Sequence, residues 1–130
     1  MLVIVHGISN PSQLEWGRLM NETAVRGRGT SLRMLIISHG GGPDVDQRKQ
    51  LTKLMEESPA PRAIMTNSAV VRSIMAAIAF FNPQMRAFGL RELNEACAYL
   101  GLSAEERLTA ARLRGVLESK LDLQARQDAH

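Results

Sequence analysis

A chain of 130 residues has the length of one domain, and a single core of that size buries roughly two-thirds of the surface exposed by the unfolded chain. Its 45% hydrophobic and 22% charged residues are the balance of a soluble globular protein, which argues against a disordered or fibrous chain. The net charge of +3 resides in the first 102 residues, because residues 103–130 carry equal numbers of acidic and basic side chains, and it is too dilute for the basic face of a nucleic-acid binder.

Cys97 is the single cysteine, so neither an internal disulfide nor a cysteine metal cage can form, and a reducing, cytoplasmic compartment is expected. Leu2–Val5 is too short for a signal-peptide core and has no basic segment ahead of it. The longest apolar run, Ile74–Phe81, falls far below the roughly 20 residues needed to cross a bilayer. Arg26, Arg28 and Arg33 gather near a glycine-rich turn, either as a solvated loop or as a phosphate patch.

Short branched runs alternating with helical spacing predict βαβ units. The first strand is Leu2–Val5, ending at His6-Gly7. A helix capped near Asn10-Pro11-Ser12 carries Leu14, Trp16, Leu19 and Met20, and Gly27-Arg28-Gly29 closes it. The second strand, Leu32–Ile37, runs into Ser38-His39-Gly40-Gly41-Gly42-Pro43. The next helix is capped by Asp44 or Asp46 and sets Leu51, Leu54 and Met55 on one face. The third strand, Ala63–Met65, passes through Thr66-Asn67-Ser68 into a helix, Val70–Phe81, that is apolar nearly all round and must be buried or docked. A fourth strand, Met85–Phe88, precedes a helix over Leu90–Leu100 that Gly101 stops. Ser103 with Glu106 forms a capping box for a last helix striped by Leu108, Ala111, Leu117 and Leu121, with a polar tail beyond Leu123.

The expected fold is therefore α/β: a small four-stranded, mostly parallel sheet flanked by helices over residues 1–102, then a C-terminal amphipathic helix and tail over 103–130.

The stretch Arg62-Ala63-Ile64-Met65-Thr66-Asn67-Ser68-Ala69-Val70-Val71-Arg72 resembles the strand, polar turn and helix of STAS domains, relatives of the bacterial anti-sigma-factor antagonist. Met85–Leu100 is similar to the closing strand and helix of that family. The resemblance spans about the last two-thirds of residues 1–102 and implies a STAS-like sheet with a regulatory role in protein–protein interaction. Regulatory members carry an Asp-Ser-Ser-Gly-like phosphorylation motif where this chain reads Ser38-His39-Gly40-Gly41-Gly42-Pro43, so Ser38 stands at the position of that switch without its context.

Ligands of α/β sheets bind beyond the carboxyl ends of the strands. Three turns are expected there: His6-Gly7-Ile8-Ser9-Asn10, Ser38–Gly42 and Thr66-Asn67-Ser68, either as tight capped turns or as an anion or nucleotide pocket. His6, Ser38, His39, Gly40, Gly41, Gly42, Arg48, Asn67 and Ser68 are its candidate residues. His6 and His39 could share a divalent metal if their strands are neighbours, although two ligands make a poor site. Val5–Pro11 looks like the His-Gly-Ser start of small tetrapyrrole chelatases, without the later context of their second histidine. No Gly-x-Ser-x-Gly elbow exists for a hydrolase. Asp44 and Asp46 are simpler as caps than as a catalytic pair.

These residues predict a non-enzymatic regulatory or scaffolding module that needs no cofactor, engages a protein partner and self-associates as a homodimer. Its interface is expected on Val71, Ile74, Met75, Ile78 and Phe81. The alternative is a small-anion or nucleotide sensor built on the glycine-rich turns.

Overall fold

The computed structural model describes residues 1–7, 11–27, 33–57, 60–81 and 84–128; the side chains of residues 25–27, 54–57, 78, 81, 125 and 128 lie outside that description. Arg26 and Arg28 of the arginine cluster, Ile8-Ser9-Asn10 of the first turn, and the Leu54, Met55, Ile78 and Phe81 side chains therefore fall outside it as well.

Each apolar run becomes a strand: β1 Leu2–His6, β2 Met34–Ser38, β3 Arg62–Thr66 and β4 Met85–Phe88. They pair in parallel in the order β1-β2-β3-β4, so the sheet is wholly parallel. The three crossovers run through α1 Gln13–Gly27, α2 Val45–Glu57 and α3 Ala69–Phe81. Parallel crossovers are right-handed, which sends three successive ones in this strand order to one side of the sheet. The chain then continues as α4 Leu93–Tyr99 and α5 Ala104–Asp128, which cover the opposite side.

Side chains alternate across the pleat, and the two faces separate accordingly. Leu35, Ile37, Ala63 and Met65 point to α4 and α5 and are fully buried, with Phe88, Ala96, Cys97, Leu100, Leu102 and Ala110 completing one cluster. Burial pushes the Cys97 thiol above its usual range, with Arg107 partly opposing. Met34, Ile36 and Ile64 point to α1–α3 and gather Leu2, Ile4, Val71 and Met75.

Helix ends follow the local chemistry of the chain. Ser12 Oγ accepts from Glu15 N (3.2 Å), Ser68 Oγ accepts from Val71 N (3.3 Å), and Asp44, not Asp46, caps α2 through Gln47 N (2.8 Å). Gln47 Oε1 returns the bond to Asp44 N at 3.0 Å, a reciprocal box. The Ser103/Glu106 box forms as well, with bonds of 3.0 and 3.1 Å. α4 ends in a Schellman motif: Gly101 takes φ +68, its N–H donates to Ala98 O (3.1 Å), and Leu102 N donates to Cys97 O (3.1 Å).

Two helices turn part of the expected stripe outward. In α1 the inward residues are Trp16, Leu19 and Met20, while Leu14 is 68% exposed; two residues before Trp16 is more than half a turn round the helix. In α5 the inward stripe is Ala110, Arg114, Leu117 and Leu121, so Leu108 and Ala111 face outward. Helix α5 also runs to Asp128, past the expected end at Leu123. It lies along β1, fixed at its start by Arg33 Nη2 to Glu106 Oε2 (2.6 Å) and further on by His39 Nε2 to Glu118 Oε2 (2.6 Å).

Candidate functional site

The carboxyl ends of β1 and β2 carry His6 and Ser38, partners in the ladder and therefore on one face, the face under α1–α3. His39, the next residue, projects to the other face, where it meets Glu118 of α5. The two imidazoles thus stand on opposite sides of the sheet and do not converge on a metal. Among the described residues no group of three His, Cys, Asp or Glu is placed to hold one.

The glycine loop after β2 is braced from within. Ser38 Oγ donates to Gly41 O (2.5 Å) and accepts from Gly40 N (3.2 Å), while Gly41 N donates to Gly7 O (2.8 Å). Gly40 takes φ +117, a conformation that L side chains rarely adopt. Because the Gly40 N–H is committed to Ser38 Oγ and the Gly41 N–H to Gly7 O, they do not form the anion cradle that their sequence suggests. Ser38 is buried with its hydroxyl in use, so its place in the fold is to hold this turn.

Above that loop, between the sheet and α1–α3, lies a cavity of about 400 Å³. Its floor is Ile4, Met34, Ile36 and Ile64; its roof is Trp16 and Leu19 of α1, Leu51 of α2, and Val71, Ile74 and Met75 of α3. The polar groups stand at one end, where His6, Ser38, Gly40–Gly42, Asp44 and Arg48 line it. The cavity runs over the sheet face from Met34 and Met85, at the starts of β2 and β4, to the glycine loop beyond β2, and its volume is within the range of small-molecule sites. Trp16 is fixed in the roof by its indole N–H, which donates to Gln50 Oε1 at 2.8 Å.

His6 is half-buried; burial pushes its imidazole below the ordinary range, with the Glu15 carboxylate partly opposing, so the ring at this end is held toward its neutral form. Asp44 is occupied as the α2 cap. The Arg48 guanidinium, half-buried at the same end, makes no ion pair or hydrogen bond to any described residue.

Six of the nine expected ligand residues, His6, Ser38, Gly40, Gly41, Gly42 and Arg48, line this one cavity; His39, Asn67 and Ser68 do not. Asn67 Oδ1 instead accepts from Leu90 N (3.3 Å) beside Gly89, whose N–H donates to Glu92 Oε1 (2.7 Å). Ser68 caps α3. The three turns therefore divide between a cavity at β1 and β2 and a self-satisfied polar knot at β3 and β4.

The expected interface also changes sides. Val71, Ile74 and Met75 are half-buried and face the cavity, because α3 turns its stripe toward the sheet; Val70, 70% exposed, lies at the cavity rim, and Phe80 is 84% exposed. Trp16, Leu51 and Thr52 of the cavity wall were not anticipated. Their only signal in sequence is helical spacing, which does not distinguish a wall from a filled core.

A scan against family models, a search of curated proteins and a search of solved structures each gave no match to this chain. No helix among the described residues is long and apolar enough to cross a membrane.

Proposed function

We propose that this chain is a non-catalytic, cytoplasmic sensor module that takes a small, largely apolar molecule into the cavity between its sheet and α1–α3. The observation that carries this reading is the cavity itself: about 400 Å³ of largely apolar space between the sheet and α1–α3. An apolar cavity of roughly 150 Å³ already holds a benzene-sized guest, so this one takes a body more than twice as large. The non-catalytic part rests on the geometry of the candidate groups: the Ser38 hydroxyl is tied into its own turn, and His6 and His39 are on opposite faces.

Trp16 is the only tryptophan and lines the cavity, which makes it an internal reporter. Titration with decanol, a neutral apolar probe, is expected to shift Trp16 emission saturably and to raise the melting temperature by mass action. An emission spectrum and a melting curve that both stay fixed overturn the reading.

A second reading, docking of a protein partner or a second copy, is favoured by the exposed apolar side chain of Phe80 on the helix that also roofs the cavity. Occupancy that displaces α3 would be felt on that outer surface, which couples ligand to partner. Light scattering expected to show dimers for the native chain and monomers for Phe80→Ser tests it; monomers in both at every concentration count against it.

A further inference from the structure

The cavity does not end at the roof helices. A groove between α2 and α3, lined by Val45, Arg48, Lys49, Thr52, Lys53, Ile74 and Ala77, shares Val45, Arg48, Thr52 and Ile74 with the cavity wall, so the two spaces adjoin. Three of the lining residues of the groove are cations and none is a carboxylate. Lys49 and Lys53 are one helical turn apart on α2, and neither makes an ion pair among the described residues. An apolar chamber thus opens onto a strip of positive charge that makes no ion pair among the described residues, with Arg48 on the boundary.

From this juxtaposition, and resting on the cavity reading above, we infer that the occupant is a single amphiphile with an anionic head: its apolar chain lies under α1–α3 and its carboxylate or phosphate sits in the α2–α3 groove against Arg48. A half-buried guanidinium without a partner is poorly compensated, and a charged acceptor is the partner it lacks. Its planar donor fork suits the two oxygens of a carboxylate or phosphate, whereas Lys49 and Lys53 add attraction without directional fit. The one acidic residue at that end of the cavity, Asp44, is turned to the start of α2, where Oδ1 accepts from Gln47 N at 2.8 Å. A neutral guest of the same length fills the apolar chamber equally well and leaves Arg48 unpaired, so the head group sets specificity while the chain sets the basal affinity.

Calorimetric titration of the full chain with decanoate, decyl phosphate and decanol, each below its micelle-forming concentration, tests the inference. Native protein is expected to bind at least one of the two anions about ten-fold or more tightly than decanol; which anion leads identifies the head group. Arg48→Gln is expected to abolish that preference while leaving decanol affinity and the melting temperature of the free protein unchanged, and Arg48→Lys to restore only part of it. Decanol bound as tightly as the anions, or an anion preference that survives Arg48→Gln, overturns the anionic head and leaves the cavity reading standing. No binding of any of the three overturns both.

Discussion

The face of the sheet under α4 and α5 and the face under α1–α3 are built from alternate residues of the same strands, yet they are finished differently. Under α4 and α5 the helices present the small side chains Ala96, Cys97 and Ala110 together with Leu93 and Tyr99, and the sheet residues Leu35, Ile37, Ala63 and Met65 are left with no exposed surface. Under α1–α3 the helices present Trp16, Leu19, Ile74 and Met75, and a cavity of about 400 Å³ stays open beneath them. Small residues among the larger ones let the helices of the packed face approach the sheet closely. One pleated layer thereby supports stability on one side and a binding chamber on the other.

Truncation should expose that asymmetry most strongly. Ile37→Ala on the packed face is expected to cost about 2–5 kcal/mol, because it empties a site with no room to collapse. Ile74→Ala, which removes atoms already bordering empty space, should cost on the order of 1 kcal/mol. Urea unfolding of the two variants measures the difference, and equal losses would mean that the faces are packed alike.

Enlargement should reverse the order. Leu35→Phe overpacks the closed face and is expected to lose about 1–3 kcal/mol. Ile64→Phe projects into the cavity, so it should leave the melting temperature near the native value while removing the response to decanol. A large loss of stability in Ile64→Phe would show that the chamber is not free to receive a guest.

Much of this architecture was legible in the chain. The four strands are apolar runs bounded by turn residues, and the Ser103/Glu106 box and the Asp44 cap follow from side chains that satisfy the first N–H groups of a helix. The outward placement of Leu14 in α1 and of Leu108 and Ala111 in α5 was not, because each helix carries apolar side chains on more than one face. Leu14 and Leu108 look as suitable as Trp16 and Ala110 until the sheet decides between them. The separation of His6 from His39 could have been read. Aligning Leu2–His6 with Met34–Ser38 pairs His6 with Ser38, and a one-residue offset in a strand reverses the face. The cavity had no signature in sequence, since it arises from how far the roof stands off rather than from which residues line it.

A smaller effect concerns the anchoring of α5. The backbone N–H of Ser103, first among several contacts, holds the Glu106 carboxyl below the ordinary carboxylate range, with the Arg33 guanidinium assisting. A group with a depressed folded-state pKa stabilises the fold above its unfolded pKa and ceases to do so as pH falls through the folded value. The destabilisation caused by Glu106→Gln should therefore be present at neutral pH and shrink as the solution is acidified below the ordinary carboxylate range. Melting curves of native and variant protein across that window check it, and a pH-independent difference would assign the contact no electrostatic role.

The contrast between the faces can be observed directly by following isoleucine δ1 methyl resonances as decanoate is added. Ile4, Ile36, Ile64 and Ile74 border the cavity, whereas Ile37 is sealed on the opposite side. A ligand housed beneath α1–α3 will move the first four signals and leave that of Ile37 in place; no movement, or equal movement of all five, contradicts it.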